Sequence, residues 1–425
     1  MKLTRIALAA GAVALLAGAT ACSSGTPSSD TTTGGDPITI GVILPLSGNL
    51  GGLGKQMLDG YQVAVDVVNG DGGIDGRPVE LKVSDAPTPE DAVGVAQQLA
   101  NDPDVQIVMG TNSSSIAIPA SEVVSRAGKI YWETGAAAAD ITERGLPGVF
   151  RTSPSVALPA YADATPDFLN DAVAPALGVP VTDLRMGLIY AEDDFGTATA
   201  KTFRDIADRE GYDLVVDTPY AANAQDLSGT IGQLIDADVQ ILVAVSNITD
   251  AILIAQQSDE LGFSPELIFG NGSGWTAKDT IDALGPEING IVVGDAVPLN
   301  IDGSLPNADV SPSYDEFADA YRGLTGNDPG TPGTNGYFGA MVLFQDVLPD
   351  ADPADPQSIS AAASDVDIPD GGTVAMMGVK FDETGQNERA KWFIHQFQNG
   401  KPVPVYPLEL AGADLVLPMS DAPGR

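Results

Sequence analysis

Short apolar runs that favour β-strands alternate with amphipathic stretches of helical length along most of the chain. In the amino-terminal part the strand patterns cover 38–44, 79–83, 105–109 and 129–132, and helical patterns cover 53–68, 89–99 and 114–125. After Pro154 the alternation resumes, with helical patterns over 161–169, 197–206, 227–235 and 249–261 and strand patterns over 186–190, 214–216, 239–245 and 267–269. Alternation of this kind predicts parallel sheets with helices on both faces. The sequence therefore predicts an α/β fold with two sheets.

The amino-terminal residues have a different pattern. Lys2 and Arg5 precede an apolar stretch over 6–17, which is shorter than the about 20 residues of a membrane span. Ala19-Thr-Ala-Cys22 follows and resembles the lipobox of bacterial lipoproteins, whereas a plain cleavage site would leave this lone cysteine unexplained. We expect residues 1–22 to be a signal peptide and Cys22 to be lipidated. Residues 23–37, rich in serine, threonine and glycine, are expected to form a flexible tether.

Charge and composition narrow the possible partners. The chain has 58 acidic and 20 basic residues, a formal net charge of −38. Such a surface repels phosphate backbones, so we expect no nucleic-acid partner, and solubility is the simpler reason for the charge. A single cysteine permits neither an internal disulfide nor a thiolate metal cluster. The roughly 390 residues after the tether suggest two domains or one two-lobed body.

The most specific motif is the glycine-rich segment 69–81, Asn-Gly-Asp-Gly-Gly-Ile-Asp-Gly-Arg-Pro-Val-Glu-Leu. Its glycines permit positive φ angles, so the residues by themselves predict a tight turn from a helix into a strand. The segment resembles the N-x-x-GGI-x-GR motif of type I periplasmic solute-binding proteins, especially the branched-chain amino acid and amide-binding group of ABC transporters. Further matches over 38–406 are Leu46-Ser-Gly48, Gly110-Thr-Asn-Ser-Ser-Ser115, the residues Ala138, Asp140 and Thr142, and Phe381, Asp382 and Gly385.

The resemblance implies two Rossmann-like lobes joined by a three-crossover hinge that closes on a small solute. The crossovers are expected near 152–153, 294–295 and 377–378. The first lobe would be 38–152 plus 295–376, the second 153–294 plus 377–412, and the C-terminal tail 413–425. The resemblance also implies an ABC permease as partner, in addition to membrane contact through the N-terminal lipid. We expect a monomer that needs no cofactor.

A strand end followed by a helix indicates where the solute binds, because helix N-termini present unpaired N–H groups to anions. In the family a serine in the 110–115 segment holds a carboxylate, and Ser114 matches it. Ser113, Ser114 and Ser115 are also favoured N-cap residues, so simple capping is the alternative. Gly135 and Ala137 match the loop that supplies the remaining contacts. A threonine is usual in place of Ala137, so only backbone donation is expected there.

Other positions depart from the leucine-binding members of the family. Leu53 and Asn247 stand where those members have tyrosines, and Phe195 replaces a further tyrosine. Gly272 lies at about the position of the glutamate that pairs the ligand ammonium, so leucine specificity does not carry over. Glu133, at a strand end, is a candidate replacement anion for an ammonium or amide. The alternative for Glu133 is an exposed charge or a bond to neighbouring backbone.

Other reactive residues favour binding over catalysis. The acids of 192–194 precede a helix, where the dipole favours them without a metal ion, so we expect no metal site. His395 is the only histidine and is predicted on the surface of a hairpin, and there is no G-x-S-x-G motif. Trp132 is expected in the core, and Trp275 in the core or against the solute.

We therefore predict a non-enzymatic lipoprotein that captures an amino acid or related small polar solute. A sensory lipoprotein that signals to a membrane receptor or kinase is the alternative, and a hydrolase is the third hypothesis.

Overall fold

The computed structural model describes residues 35–157, 159–300, 310 and 312–425. It contains two open β-sheets with helices packed on them. The expected signal peptide, the lipidation at Cys22 and most of the tether lie outside the described residues. None of the described helices is long and apolar enough to cross a membrane. The predicted α/β class with two sheets is confirmed.

The first sheet has five parallel strands in the order β2-β1-β3-β4-β5. Its strands are β1 (Ile38–Leu44), β2 (Val79–Asp85), β3 (Val105–Gly110), β4 (Ile130–Glu133) and β5 (Val149–Arg151). The helices between them are α1 (Gly51–Gly70), α2 (Pro89–Ala100) and α3 (Ser114–Arg126). Every strand and helix predicted in this part of the sequence is present. The inner strands β1, β3 and β4 are almost fully buried, as is typical of apolar runs in a parallel sheet with both faces covered.

The second sheet has seven strands in the order β12-β11-β10-β9-β8-β6-β7. They are β6 (Arg185–Ala191), β7 (Asp213–Tyr220), β8 (Ile241–Val245), β9 (Leu267–Asn271), β10 (Val292–Asp295), β11 (Phe393–Gln398) and β12 (Lys401–Tyr406). The pairs β10–β11 and β11–β12 are antiparallel, and the other pairs, including β9–β10, are parallel. The accompanying helices are α4 (Pro159–Ala162), α5 (Ala164–Phe168), α6 (Ala174–Leu177), α7 (Asp194–Glu210), α8 (Ser228–Asp236), α9 (Ile248–Leu261) and α10 (Lys278–Leu284).

Three further helices, α11 (Tyr314–Thr325), α12 (Thr331–Met341) and α13 (Pro356–Asp365), follow β10 but pack into the core of the first sheet. Tyr61 of α1 shares that core with Tyr337 of α12 and Ile359 of α13. The chain therefore leaves the first sheet after β5, returns to it after β10, and leaves it again before β11.

The third crossover lies later than the sequence predicts. Gln386 forms a bridge with Arg151 of β5, and the N–H of Asn387 donates to the Arg151 carbonyl at 3.0 Å. These bonds tie residues up to Asn387 to the edge of the first sheet, so the passage to β11 falls between Asn387 and Phe393 rather than near 377–378.

The glycine-rich turn between α1 and β2 has the predicted backbone geometry. Gly72, Gly73 and Gly76 have φ angles of 103°, 78° and 77°. A Cβ atom on Gly73 would lie 2.1 Å from the carbonyl oxygen of Arg77. Glycine is required at that position because both the positive φ and the close backbone approach exclude a side chain.

His395 lies on a hairpin as predicted, but the predicted surface position is wrong. It is fully buried on β11, and its Nε2 accepts from the N–H of Leu299 at 2.9 Å. Burial lowers the pKa of His395 to about 3. The difference arises because β11 is an inner strand paired with β10 and β12, and its two faces pack in separate cores, with Ile394 in one and Phe397 in the other. The residues after the hairpin also pack on this sheet, where Met419 is buried in a core that includes Phe397.

Candidate functional site

A cavity lies between the two sheets, at the carboxyl ends of their parallel strands, where α/β sheets bind ligands. It comprises about 660 Å³ of space between protein atoms, open solvent included. The first-sheet wall consists of Leu50, Leu53, Asn112, Ser113, Ser114, Ser115, Gly135 and Ala137. The second-sheet wall consists of Asp193, Phe195, Ser246, Asn247, Gly272, Ser273 and Gly274. The end nearest the crossovers consists of Asp295, Ala296, Thr331, Asn335 and Trp392.

The N-terminus of α3 forms the polar part of the first wall. The hydroxyl of Ser114 accepts from the N–H of Ala138 at 3.1 Å and makes no other protein hydrogen bond in the described part of the chain, so its own hydrogen can donate to a solute. Ser113 is the N-cap residue, but its side chain makes no capping bond. The N–H groups of Ser114 and Ser115, the first two residues of the helix, have no intrahelical acceptor, whereas that of Ile116 donates to the Ser113 carbonyl at 3.1 Å. Hydroxyls and N–H groups together favour an anionic group here.

Glu133 does not line the cavity, in contrast to its predicted role as an anion for the solute. Its side chain is fully buried, and its carboxylate accepts from the backbone N–H groups of Thr111, Asn112, Thr134, Gly135 and Ala136. The Tyr131 hydroxyl also donates to it, at 2.7 Å. Burial raises the pKa of Glu133, against the opposing effect of these donors. The carboxylate is thus bonded to neighbouring backbone, which was the alternative reading.

Arg151 bonds the carbonyl groups of the loop after β4, whose N–H groups bond Glu133. Its guanidinium is fully buried, and Nη1 donates to the carbonyl oxygens of Ala136 and Ala138 at 3.1 and 2.7 Å. Because Glu133 already accepts from the N–H of Gly135, that group is not available to a solute, although Gly135 lines the cavity. Ala137 lies between the residues that Glu133 and Arg151 engage, and lines the cavity.

Phe195 and Gly272 occupy neighbouring positions on the second wall. A Cβ atom on Gly272 would lie 2.8 Å from Cε1 of Phe195, and Gly272 has a φ of 101°. A glutamate side chain in this position would collide with the phenyl ring. The two departures from the leucine-binding pattern are therefore sterically coupled.

Asp193 and Asn247 form a polar pair on the same wall. Asn247 Nδ2 donates to Asp193 Oδ2 at 2.8 Å, and Asp193 Oδ1 accepts from the N–H of Gly196 at 2.7 Å, which caps α7. Burial raises the pKa of Asp193. The acids of 192–194 therefore include a helix cap, as expected, and that cap also faces the cavity.

The two walls touch through apolar side chains beside the cavity. Leu53 of α1 packs with Ile248 of α9 and with Ala277, and all three are buried. Ser115 adds a polar contact, because its hydroxyl accepts from the N–H of Asp194 at 3.4 Å. Leu53 thus contacts the opposite wall as well as lining the cavity.

The sequence did not indicate four residues that line the crossover end of the cavity, namely Asp295, Thr331, Asn335 and Trp392. Asp295 Oδ2 accepts from the hydroxyls of Thr331 and Thr276 at 2.6 and 2.9 Å, and Oδ1 accepts from the N–H of Ala296 at 2.8 Å. Burial raises the pKa of Asp295 to about 6. Asn335 and Trp392 complete this end. Only Asp295 carried a sequence signal, as an acid at the end of an apolar run next to an expected crossover.

Trp132 and Trp275 both lie in the core of the protein. Trp132 and Trp275 are fully buried, and their Nε1 groups donate to the carbonyls of Gly339 and Ala244 at 2.9 and 3.2 Å. The core position predicted for Trp132 is confirmed, and of the two positions left open for Trp275 the structure has the core. Among the described residues, no group of three or more His, Cys, Asp or Glu side chains is arranged to hold a metal ion.

Two α/β sheets that share a cavity at their strand ends define a two-part solute-binding fold, and comparison with known proteins agrees. The chain belongs to the periplasmic binding protein family, whose model matches residues 37–401. It is 36% identical over 381 residues to the Leu/Ile/Val-binding protein homolog 8 of Brucella abortus (strain 2308), covering 89% of this chain and 92% of that protein. It is 34% identical over 383 residues to homolog 7 of Brucella suis biovar 1 (strain 1330), covering 90% and 94%.

Solved structures share the fold at lower sequence identity. One is the branched-chain amino acid transporter substrate-binding protein of Streptococcus pneumoniae in complex with isoleucine, with a TM-score of 0.71, 21% identity, and coverage of 86% of this chain and 97% of that chain. Another is a solute-binding protein of an ABC transporter from R. palustris in complex with benzoate, with a TM-score of 0.73, 18% identity, and coverage of 92% and 99%. At these identities the likeness shows the fold alone.

Proposed function

We propose that the protein captures an amino acid or a related small polar solute outside the cytoplasm and delivers it to an ABC permease. The observation that carries the proposal is the position of Ser114. Its hydroxyl stands at the N-terminus of α3, in a cavity that residues from both sheets line. The names of the Brucella relatives support an amino acid as the solute.

In this proposal each sheet with its helices is one lobe, and the lobes turn about the three crossovers. A solute that contacts both walls stabilises the closed arrangement, because it has more contacts there than in an open one. The lobe limits are those expected from the sequence, 38–152 plus 295–376 and 153–294 plus 377–412, with the third limit moved to follow Asn387.

Identification of the natural solute is the direct test. The purified protein is denatured, and small molecules released from it are identified by mass spectrometry. A thermal-shift screen of amino acids, amides, polyamines and aromatic acids follows, in which a solute at 100 times its dissociation constant adds about 2.7 kcal/mol to the free energy of unfolding. If no amino acid or related solute stabilises the protein, the proposal is wrong. If a solute is identified, small-angle scattering should give a smaller radius of gyration for the protein with that solute than for the solute-free protein.

Anchoring through Cys22 is part of the proposal. We expect the exported protein to take up labelled fatty acid, whereas the Cys22→Ala variant is released from the membrane fraction without label.

A sensory role with the same cavity is the second candidate. Loss of solute uptake on deletion of the gene favours transport, and normal uptake with loss of a solute-induced transcriptional response favours sensing.

A further inference from the structure

Asp193 lies on the second wall of the cavity, opposite the N-terminus of α3. Its side chain is partly exposed, and it lines both the cavity and the adjoining cleft between α3 and α7. The next residue, Asp194, donates its N–H to the hydroxyl of Ser115, the neighbour of Ser114. The Asp193 carboxylate therefore stands across the cavity from Ser114, on a surface that a solute group can reach.

Helix capping accounts for only one oxygen of this carboxylate. Oδ1 accepts from the N–H of Gly196 and caps α7, whereas Oδ2 accepts from Asn247 Nδ2 on the neighbouring strand end. The N–H of Phe195 also favours the charged form of Asp193. All of these partners are neutral, and a carboxylate has about four lone-pair sites, so this group can accept a further donor. An asparagine, serine or threonine would cap the helix as well without a charge.

The charge of Asp193 has no cationic partner within the described residues. The cavity lining includes no lysine, arginine or histidine. The adjoining cleft contains Lys201 and Arg204, but these side chains pair with Asp205 and Asp217 at 3.1 and 2.6 Å. Burial raises the pKa of Asp193, because its charge is partly withdrawn from water. A cation bound beside this carboxylate would therefore stabilise it.

We propose that Asp193, held by Asn247, binds the ammonium group of the solute, so that the site selects α-amino acids over carboxylic acids without an amine. This inference rests on the proposed function and names the class of its solute. An α-amino acid has its ammonium group on the carbon next to the carboxylate. When the carboxylate is bound at Ser114, the ammonium stays close to α3 and faces the wall that carries Asp193. There it donates to Oδ2 in a charge-assisted hydrogen bond.

The remainder of the cavity lining offers the ammonium no equivalent anion. On the second wall, Phe195 is apolar and Gly272 has no side chain. The other acid of the lining, Asp295, lies at the crossover end, is 3% exposed and already accepts from three donors. A carboxylic acid without an amine would bring a second negative charge into the cavity and leave Asp193 without a counter-ion.

The test compares solutes that differ only by the amine, with the wild-type protein and calorimetry as readout. The thermal-shift screen selects the amino acid that binds most tightly. This amino acid is compared with the carboxylic acid of the same carbon skeleton, for example leucine with isocaproate or phenylalanine with hydrocinnamate. We expect the amino acid to bind about 100-fold more tightly, because the analogue leaves a charged group of the site unpaired. A difference of less than about tenfold overturns the inference.

A variant pair assigns the preference to Asp193. Asp193→Asn removes the charge but keeps an oxygen for the N–H of Gly196, so α7 stays capped, and the preference for the amine should fall about tenfold or more. Glu192→Gln is the matched control, because Glu192 is an exposed acid that lines the adjoining cleft and not the cavity. It should leave the preference unchanged. An unchanged preference in Asp193→Asn, or the same loss in both variants, overturns the assignment.

The screen separates failure of this inference from failure of the proposed function. If an amide, a polyamine or an aromatic acid such as benzoate binds the wild type more tightly than every amino acid, the inference is wrong and the proposed function stands. Failure of every solute in the screen to bind contradicts the proposed function itself. The comparison on the wild type decides the inference even where a variant does not fold, and thermal unfolding of both variants checks their folding.

Discussion

Glu133 on β4 and Arg151 on β5 are paired in register. Together they fix the loop 134–138, because Glu133 bonds N–H groups of this loop and Arg151 bonds its carbonyl groups. Glu133 accepts from the N–H groups of Gly135 and Ala136, while Arg151 donates to the carbonyls of Ala136 and Ala138. This loop also supplies the N–H that bonds the Ser114 hydroxyl. The buried charges therefore fix this part of the cavity wall, and neither of them lines the cavity itself.

The first prediction concerns this charge pair. Glu133→Gln removes the carboxylate that most stabilises the charge of the buried Arg151 guanidinium, and it places an N–H₂ group among N–H donors. The free energy of unfolding should therefore fall by about 3–5 kcal/mol. The double variant Glu133→Gln with Arg151→Met should lose less than the sum of the single losses, measured by urea denaturation. Strictly additive losses would contradict the coupling. The exposed pair Lys82–Asp102 is the control, and its removal should change stability by less than about 1 kcal/mol.

Ser114 gives the second prediction. Ser114→Ala removes a hydroxyl donor at the N-terminus of α3 and should weaken solute binding by about 1–3 kcal/mol if the solute carries a carboxylate. Calorimetry with the identified solute measures the change. Ser125→Ala, at the other end of the same helix, removes a bond to the Pro147 carbonyl and should leave the affinity unchanged. An unaltered affinity in Ser114→Ala removes this residue from the site.

The third prediction concerns the apolar contact between the two walls. Leu53→Ala reduces packing against Ile248 and Ala277, so solute affinity should fall by about 1–2 kcal/mol because this contact stabilises the closed arrangement. Val63→Ala is the control, since Val63 lies on the same helix but packs in the core of the first sheet. It should lower stability and leave affinity unchanged. The same affinity loss in both variants would show that the effect is not specific to the contact between the walls.

Buried acids give a pH dependence as the fourth prediction. Burial raises the pKa of Asp295 and of Asp250 from 3.8 to about 6. Between these values the folded protein binds more protons than the unfolded chain, so the free energy of unfolding falls as pH rises through this window. The solute-free protein should accordingly be more stable at pH 5 than at pH 7, by about 1 kcal/mol from Asp295. Thermal unfolding at both values measures the change, and Asp295→Asn should reduce it.

Close packing between α1 and α12 gives the fifth prediction. A Cβ on Gly60 would lie 2.1 Å from the carbonyl oxygen of Gly333, so Gly60→Ala should destabilise the protein by about 2 kcal/mol or more. Gly94 in α2 has open space around its Cβ position, and Gly94→Ala should stabilise the protein by about 0.5–1 kcal/mol. Denaturant midpoints of the two variants should therefore move in opposite directions. A shift of both in the same direction would contradict the packing account.

The sequence by itself determined the α/β class, the two sheets, the turn at 72–76 and the position of Ser114 at a strand end before a helix. These features depend on local periodicity and on backbone angles, which neighbouring residues set. The sequence also indicated part of the cavity wall through the family resemblance, because Leu53, Phe195, Asn247 and Gly272, which were compared with family positions, all line the cavity.

Only the tertiary structure decided what the polar groups contact. Glu133 occupies a strand end as expected, but the neighbouring strand and loop supply enough N–H donors to keep its carboxylate in the protein. His395 is buried because β10, a strand distant in sequence, pairs with β11 and elements from other parts of the chain pack on both faces of β11. The contacts of Asp295, Asn335 and Trp392 come from separate elements that meet only at the crossovers. Hydrogen bonding and burial depend on residues far apart in the chain, and no local pattern carries that information.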